Sequence, residues 1–250
     1  QIAGGIVQVE NRTRITKKDI EWGIEFGHYS PRLEKKVCAA EQVGCINGLA
    51  VVGNSMGMVM DIEVSAIKAV SGRGSIKVTG IVEEEEMTGK GQKLKKTSSA
   101  KASVENVLTV LKKFLNIDCG EYDIHVNFPG GIPIDGPSAG ISIAAAIYSA
   151  IMNIPIGGDL AMTGEISIRG KVKPVGGVVA KVEAAKLAGI KKVLVPRENW
   201  QELFADMDVE VVPVEDINEV FDMVFNLPKK ESSGIPVQNT AVNVATASGA

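Results

Sequence analysis

A glycine- and proline-rich turn that leads directly into an apolar helix is the feature that constrains this chain most. The motif Asp135-Gly136-Pro137-Ser138-Ala139-Gly140 is followed by an apolar run over residues 141–152. Proline is favoured in the first turn of a helix, and glycine lets the backbone before it bend tightly. The sequence therefore predicts a helix over 137–152 that begins at Ser138.

A serine at this place has two interpretations. Ser138 would lie beside the free N–H groups of a helix N-terminus, where the backbone dipoles favour negative charge. If Ser138 attacks a carbonyl carbon, N–H groups of the turn that contains Gly136, Pro137 and Ala139 are placed to hold the oxyanion. Serine is also common at helix starts with no further role, so Ser138 alone leaves both interpretations open.

Lys181 lies on the apolar face of a second predicted helix, over 178–188, which Gly189 closes. At about 100° per residue, this lysine shares its face with Val178, Ala184, Ala185 and Ala188. Burial lowers the pKa of a lysine from its usual value of about 10.4. A neutral amine is what a general base for serine requires. The alternative is a lysine at the edge of the face whose amine reaches solvent.

Three further side chains are candidates for supporting roles. Asp135 could pair with Lys181, which would hold the amine protonated, or it could satisfy N–H groups of its own turn. Thr163 could orient the lysine through its hydroxyl, although threonine is also common where a strand begins. Glu165, two residues later, could take part in structural pairing instead.

Strand-like runs dominate from residue 46 onward, and helices occur among them without a regular βαβ repeat. The predicted strands lie at 49–52, 58–64, 76–82, 123–128, 192–196 and 209–212. The predicted helices lie at 97–115, 137–152, 178–188, 199–204 and 215–225. We also predict a hairpin of 160–168 with 171–175 and a solvated, charged connection over 83–93. The mixture predicts an α+β fold in which mixed sheets pack against helices.

Three regions differ in pattern. The pattern of residues 1–45 predicts the helical end of a preceding domain plus a linker, or alternatively a helical hairpin of the main fold. Residues 46–227 carry the main domain, and 228–250 are polar and without periodicity, which predicts a disordered tail. The chain starts at Gln1 without an initiator methionine, so we expect a part of a longer protein.

Composition argues against several functions. The net charge of −3 and the aromatic content of 4% offer no basis for nucleic acid as a partner. Three cysteines at irregular spacing and two histidines do not make a typical metal site, so we expect no metal. A Ser-His-Asp triad would have to use His125, which we interpret as a structural residue of a strand. The apolar run over 141–152 is too short to span a bilayer.

The motifs together resemble the proteolytic domain of Lon proteases, most closely the archaeal type, over about residues 46–226. The motifs that carry this resemblance are residues 133–140, Thr163-Gly164-Glu165, residues 170–177 and Lys181. The resemblance implies an ATP-dependent serine endopeptidase of α+β fold, with Ser138 as nucleophile and Lys181 as general base. It also implies homo-hexameric rings that degrade unfolded or misfolded proteins.

The family couples this domain to an AAA+ ATPase module, whose phosphate-binding motif is absent from the printed sequence. The resemblance therefore implies that ATP and Mg²⁺ are bound by that module of the full-length chain, and that this chain itself needs no cofactor. Membrane anchoring through the missing part would place the domain on the cytoplasmic side. Two alternatives stay open: a catalytically silent ring-forming module, and a small-molecule kinase that holds phosphate at the glycine-rich turn.

Overall fold

The computed structural model describes residues 2–26, 37, 40–52, 56–80, 84–89, 92–97, 99–129 and 137–226. The strands in this part are β1 Cys45–Val52, β2 Met56–Lys68, β3 Ile76–Thr79, β4 Glu84–Gly89, β5 Gln92–Thr97, β6 Tyr122–Asn127, β7 Leu160–Met162, β8 Glu165–Ile166, β9 Val172–Lys173, β10 Lys192–Pro196 and β11 Glu210–Val214. The helices are α1 Ile2–Val9, α2 Lys17–Phe26, α3 Ser99–Leu115, α4 Gly140–Met152, α5 Val178–Leu187 and α6 Ile217–Phe225.

A seven-stranded mixed sheet forms the centre of the fold, in the order β11-β10-β7-β1-β2-β6-β3. The long strand β2 pairs antiparallel with both β1 and β6. The neighbouring pairs towards both edges are parallel. The predicted α+β class with a mixed sheet is therefore confirmed.

Alternation along the strands divides the core between the two faces of this sheet. On β2, Met60, Ile62 and Val64 point to the face covered by α3, α4 and α6. Val59 points to the opposite face, where it packs with Leu49 and the apolar residues of α5. Helix α4 therefore lies on one side of the sheet and α5 on the other.

Helix α4 is buried along most of its length, because the sheet lies on one side of it and helices α3 and α6 on the other. All ten residues from Gly140 to Ser149 are buried. The hydroxyls of its two buried serines have partners: Ser142 Oγ donates to Met162 O at 3.0 Å, and Ser149 Oγ donates to Ile154 O at 2.5 Å. Ser149 also accepts from the Gly44 N–H. These bonds satisfy the serine hydroxyls of a largely apolar helix.

The predicted helix start at Ser138 is wrong by two residues. Pro137–Ala139 forms a separate 3₁₀ turn, and the α-helix begins at Gly140. The Ser138 carbonyl accepts from the Gly164 N–H at 2.8 Å. This bond ties the 3₁₀ turn to the segment that follows β7.

The hairpin predicted from 160–168 and 171–175 is only partly present. β8 pairs with β9, but β7 belongs to the seven-stranded sheet, between β1 and β10. Thr163 still donates its N–H to Leu194 of β10 at 3.1 Å, and the next residue, Gly164, donates its N–H to the Ser138 carbonyl. Strand periodicity indicated the strands but contains no information on which partner each would take.

Two further regions contain elements that the sequence pattern did not predict. Within the connection over 83–93, β4 and β5 form an antiparallel hairpin whose register places Glu85 opposite Lys96. The helix predicted at 199–204 is instead two short 3₁₀ segments, Arg197–Asn199 and Glu202–Asp206. The Asn199 side chain bonds both the N–H and the carbonyl of Val175, which holds this segment to the chain before α5.

The N-terminal helices agree with the helix predicted after Thr16. Helix α2 begins at Lys17, and the Asp19 carboxylate accepts from the Thr16 N–H and hydroxyl and pairs with Arg12. This pairing holds the pKa of Asp19 well below its usual range. No helix within the described residues is long and apolar enough to cross a membrane. The predicted tail, 228–250, lies outside the described residues.

Phe221 anchors α6 against α4, and its truncation gives a test of this packing. Its ring is buried and lies 5.0 Å from that of Tyr148 and 5.7 Å from that of Phe225, between centroids. We expect Phe221→Ala to lower the free energy of unfolding by about 3–5 kcal/mol, because it leaves a cavity. Chemical denaturation measures this loss. Met223→Ala, on the exposed face of the same helix, should change stability by less than about 1 kcal/mol; equal losses would contradict this packing.

Candidate active site

Lys181 is buried on α5, as its position on the apolar face predicts. Only 2% of the residue is exposed, and Val178, Val182 and Ala185 of the same helix are buried with it. Burial lowers the pKa of Lys181 from 10.5 to about 8. The cause is desolvation, since the charged ammonium loses hydration that the apolar surroundings do not replace. A substantial fraction of the amine is therefore neutral near pH 8.

The lysine amine is held by Thr163, which is itself fully buried at the end of β7. Lys181 Nζ donates to Thr163 Oγ1 at 3.0 Å, and Thr163 Oγ1 donates to the Ser138 carbonyl oxygen at 3.2 Å. A hydroxyl has one proton, so a threonine that donates to Ser138 can only accept from the lysine. This orientation leaves the lone pair of a neutral Lys181 free for another proton. The contact expected between Thr163 and Lys181 is present.

Ser138 lies in the 3₁₀ turn that precedes α4 and is partly exposed. Gly164 fixes this turn on both sides: its N–H donates to Ser138 O at 2.8 Å, and its carbonyl accepts from the Ile141 N–H at 3.2 Å. The serine is thus reachable from solvent, whereas the Lys181 amine and the Thr163 hydroxyl belong to buried residues. Within the described residues, the hydrogen bond found for Lys181 Nζ goes to Thr163 and not to the Ser138 hydroxyl.

Gly164 is a contributor that the sequence argument did not single out. A methyl group at this position would lie 2.9 Å from Val172 Cγ1 and 3.1 Å from Ile141 Cδ1, so these two side chains pack closely against the Gly164 backbone. A glycine at the end of a strand-like run is a known sign of close approach between backbones. That signal was present in the Thr163-Gly164-Glu165 motif.

The other residues predicted to support the site lie partly in the described structure and partly outside it. Asp135 and Gly136 lie outside the described residues. Pro137 is exposed and Ala139 is buried in the 3₁₀ turn. Glu165 lies in β8, opposite Lys173 of β9, a position in keeping with structural pairing.

His125 and Cys119 have structural surroundings. His125 Nε2 lies 2.9 Å from Thr79 Oγ1, between neighbouring strands β6 and β3, as expected for a structural histidine. Cys119 is buried, and burial raises the pKa of its thiol to about 11, so the thiol stays protonated. Within the described ranges no group of three or more His, Cys, Asp or Glu side chains is placed to hold a metal ion.

A reachable serine near a buried lysine is the combination found in one class of enzymes, the serine hydrolases that use lysine as the base. Comparison with known proteins gives the family within this class. The sequence profile of the Lon protease (S16) C-terminal proteolytic domain matches residues 14–226. The chain therefore belongs to the family of Lon proteolytic domains, which are serine peptidases. Membership in this family favours peptide-bond hydrolysis over the alternative of phosphate transfer.

Relatives come from bacteria and archaea. Lon protease 2 of Bacillus subtilis is 48% identical over 239 residues, which cover 95% of this chain and 43% of that protein. Archaeal Lon proteases of Archaeoglobus fulgidus and Thermococcus kodakarensis are 36% and 39% identical, covering 91% and 84% of this chain and 36% and 31% of those proteins. The chain thus spans less than half the length of these relatives.

The buried lysine makes stability depend on pH. The pKa of Lys181 is about 8 in the folded chain and 10.5 without burial, as in the unfolded chain. Between these two pH values the unfolded chain binds more protons, so the free energy of unfolding rises with pH there. We expect Lys181→Met to stabilise the chain at pH 7 by about 1–3 kcal/mol, with the gain shrinking towards pH 10. Denaturant unfolding at several pH values measures it. Lys186→Met, on the exposed face, serves as control, and a gain that does not vary with pH would contradict the assignment.

Proposed function

We propose that this chain is the proteolytic domain of an ATP-dependent serine endopeptidase, with Ser138 as nucleophile and Lys181 as general base. The observation that carries the proposal is the buried, deprotonable amine of Lys181, linked through the Thr163 hydroxyl to the backbone of Ser138. Family membership supports the reaction class.

Acylation starts with a neutral Lys181. Its lone pair takes the Ser138 hydroxyl proton while Ser138 Oγ forms a bond to the carbonyl carbon of the scissile peptide. N–H groups of the turn with Gly136, Pro137 and Ala139 stabilise the resulting oxyanion. When the tetrahedral intermediate collapses, the C–N bond breaks and the Lys181 ammonium gives its proton to the leaving amine.

Deacylation reverses these proton movements. Lys181, neutral again, takes a proton from a water molecule that attacks the acyl carbon, and the C–Oγ bond breaks. The ammonium then returns a proton to Ser138 Oγ, and the carboxylic acid product leaves. Thr163 keeps the amine in one orientation through both steps, because its own proton is engaged with the Ser138 carbonyl. Asp135 and Glu165 have no assigned step.

The wider protein is proposed from the family and from the greater length of the relatives. Residues 1–45 are proposed as the end of an AAA+ module with its linker, 46–227 as the proteolytic domain and 228–250 as a tail. The AAA+ module would bind ATP and Mg²⁺ and unfold misfolded substrates. The full-length protein is proposed to form homo-hexamers anchored to the membrane, with this domain on the cytoplasmic side.

Substitution of the two central residues tests the proposal. We expect Ser138→Ala and Lys181→Ala each to reduce hydrolysis of a fluorogenic peptide or an unfolded protein at least about 1,000-fold, because each removes a participant in every step. Lys186→Ala, on the exposed face of the same helix, should retain activity. A serine-directed phosphonate probe should label Ser138 in the parent chain. Hydrolysis that survives either alanine variant would disprove the residue roles, and an inactive, unlabelled parent would favour the catalytically silent ring-forming module.

The pH dependence of the rate follows from the lysine. Only neutral Lys181 accepts the serine proton, and burial lowers its pKa to about 8. We therefore expect kcat/KM for peptide hydrolysis to rise about tenfold per pH unit below pH 8 and to level off above it. Initial rates between pH 6 and 9.5 provide the measurement. A rate that does not change between pH 6 and 8 would argue against lysine as the base.

A further inference from the structure

The N-terminal turn of α5, which carries Lys181, rests directly on the backbone of strand β2. A Cβ built at Gly57 would lie 1.8 Å from Ala180 O, 2.4 Å from Ala180 C and 3.0 Å from Lys181 N. The peptide bond between Ala180 and Lys181 therefore occupies the space that any side chain at position 57 would need. The next residue on this face of β2, Val59, packs normally into the core beneath α5.

A second contact fixes the same turn from the neighbouring strand. Val51 on β1 is paired with Gly57 on β2. A Cβ at Gly177, the N-cap of α5, would lie 2.6 Å from Val51 Cγ2. Gly177 also has φ +66°, a backbone conformation that residues other than glycine rarely adopt. The two facing residues of the β1–β2 pair thus support the start of α5 at two separate points.

We propose that Gly57 is a positioning residue for Lys181, with Val51 as its partner across the strand pair. By its lack of a side chain, Gly57 allows α5 to approach the sheet until the Lys181 amine reaches Thr163. A methyl group at 57 has to displace the Ala180–Lys181 peptide by about 1 Å, and a displacement of that size costs up to about 100-fold in rate in enzyme active sites. The catalytic consequence rests on the proposed function, whereas the position of Lys181 does not.

The test compares Gly57→Ala with a control variant, Gly74→Ala, whose added methyl group meets a similar steric clash far from α5. Gly74→Ala would place its methyl 1.9 Å from Tyr122 O, a nearly identical collision with the backbone at the start of β6 and away from α5. The parent and both variants are treated with an amine-acetylating reagent, and the modification of each lysine is quantified by mass spectrometry. Lys186, exposed on α5, is the internal reference. Circular dichroism restricts the comparison to temperatures at which each chain is folded.

We expect Lys181 to be protected in the parent and in Gly74→Ala, and to be acetylated at least about tenfold faster, relative to Lys186, in Gly57→Ala. For peptide hydrolysis per folded chain, kcat of Gly57→Ala should fall about 10- to 100-fold, with KM within about threefold of the parent. Gly74→Ala should keep the parent kcat. Equal protection of Lys181 in the parent and Gly57→Ala would overturn the proposal.

Two outcomes need separate treatment. If Gly57→Ala does not fold, Val51→Ala replaces it, because Val51 is 37% exposed and its truncation costs little stability. Loss of the support beneath Gly177 should then raise acetylation of Lys181 about two- to threefold, and unchanged protection would overturn the proposal. If the parent hydrolyses no peptide, the proposed function fails, while the acetylation ratio still decides whether Gly57 positions Lys181.

Discussion

The bonds between the Thr163-Gly164 segment and Ser138 are the interaction on which the site depends. Thr163 and Gly164 both donate to the Ser138 carbonyl, and the Gly164 carbonyl accepts from the Ile141 N–H in the first turn of α4. These bonds fix the start of α4, on one side of the sheet, relative to β7. Because Thr163 also accepts from Lys181 of α5, on the other side, one short segment sets the geometry between two helices that do not share a core.

The central sheet explains why these groups come together. Successive residues of β7 point to opposite faces, so Met162 contributes to the α4 core and Ala161 to the α5 core. By the same alternation, Thr163 belongs to the lysine side while its neighbour Gly164 reaches the serine turn. The buried amine costs stability, since its hydration is lost, and the hydrogen bond to Thr163 offsets only a part of that cost. A costly buried group of this kind is typical of a functional site.

The sequence contained the local information in readable form. The apolar face of 178–188 indicated a buried Lys181, and the Gly189 stop agrees with the end of α5. The α+β class and most strands were also predictable, because alternation and helical periodicity survive in a single sequence. The helix predicted at 199–204 was wrong, because tertiary bonds from Asn199 to Val175 outweighed a weak local preference.

What the sequence by itself determined is the chemistry that is available: a serine at a glycine-rich turn, a lysine on an apolar face, and a threonine with a hydroxyl to offer. Only the tertiary structure decided that β7 leaves the hairpin for the central sheet, that Ser138 sits in a 3₁₀ turn, and that Gly57 leaves room for α5. The physical reason is distance along the chain. Periodicity reports which way a side chain faces, whereas contacts between residues dozens of positions apart depend on strand order and close backbone packing.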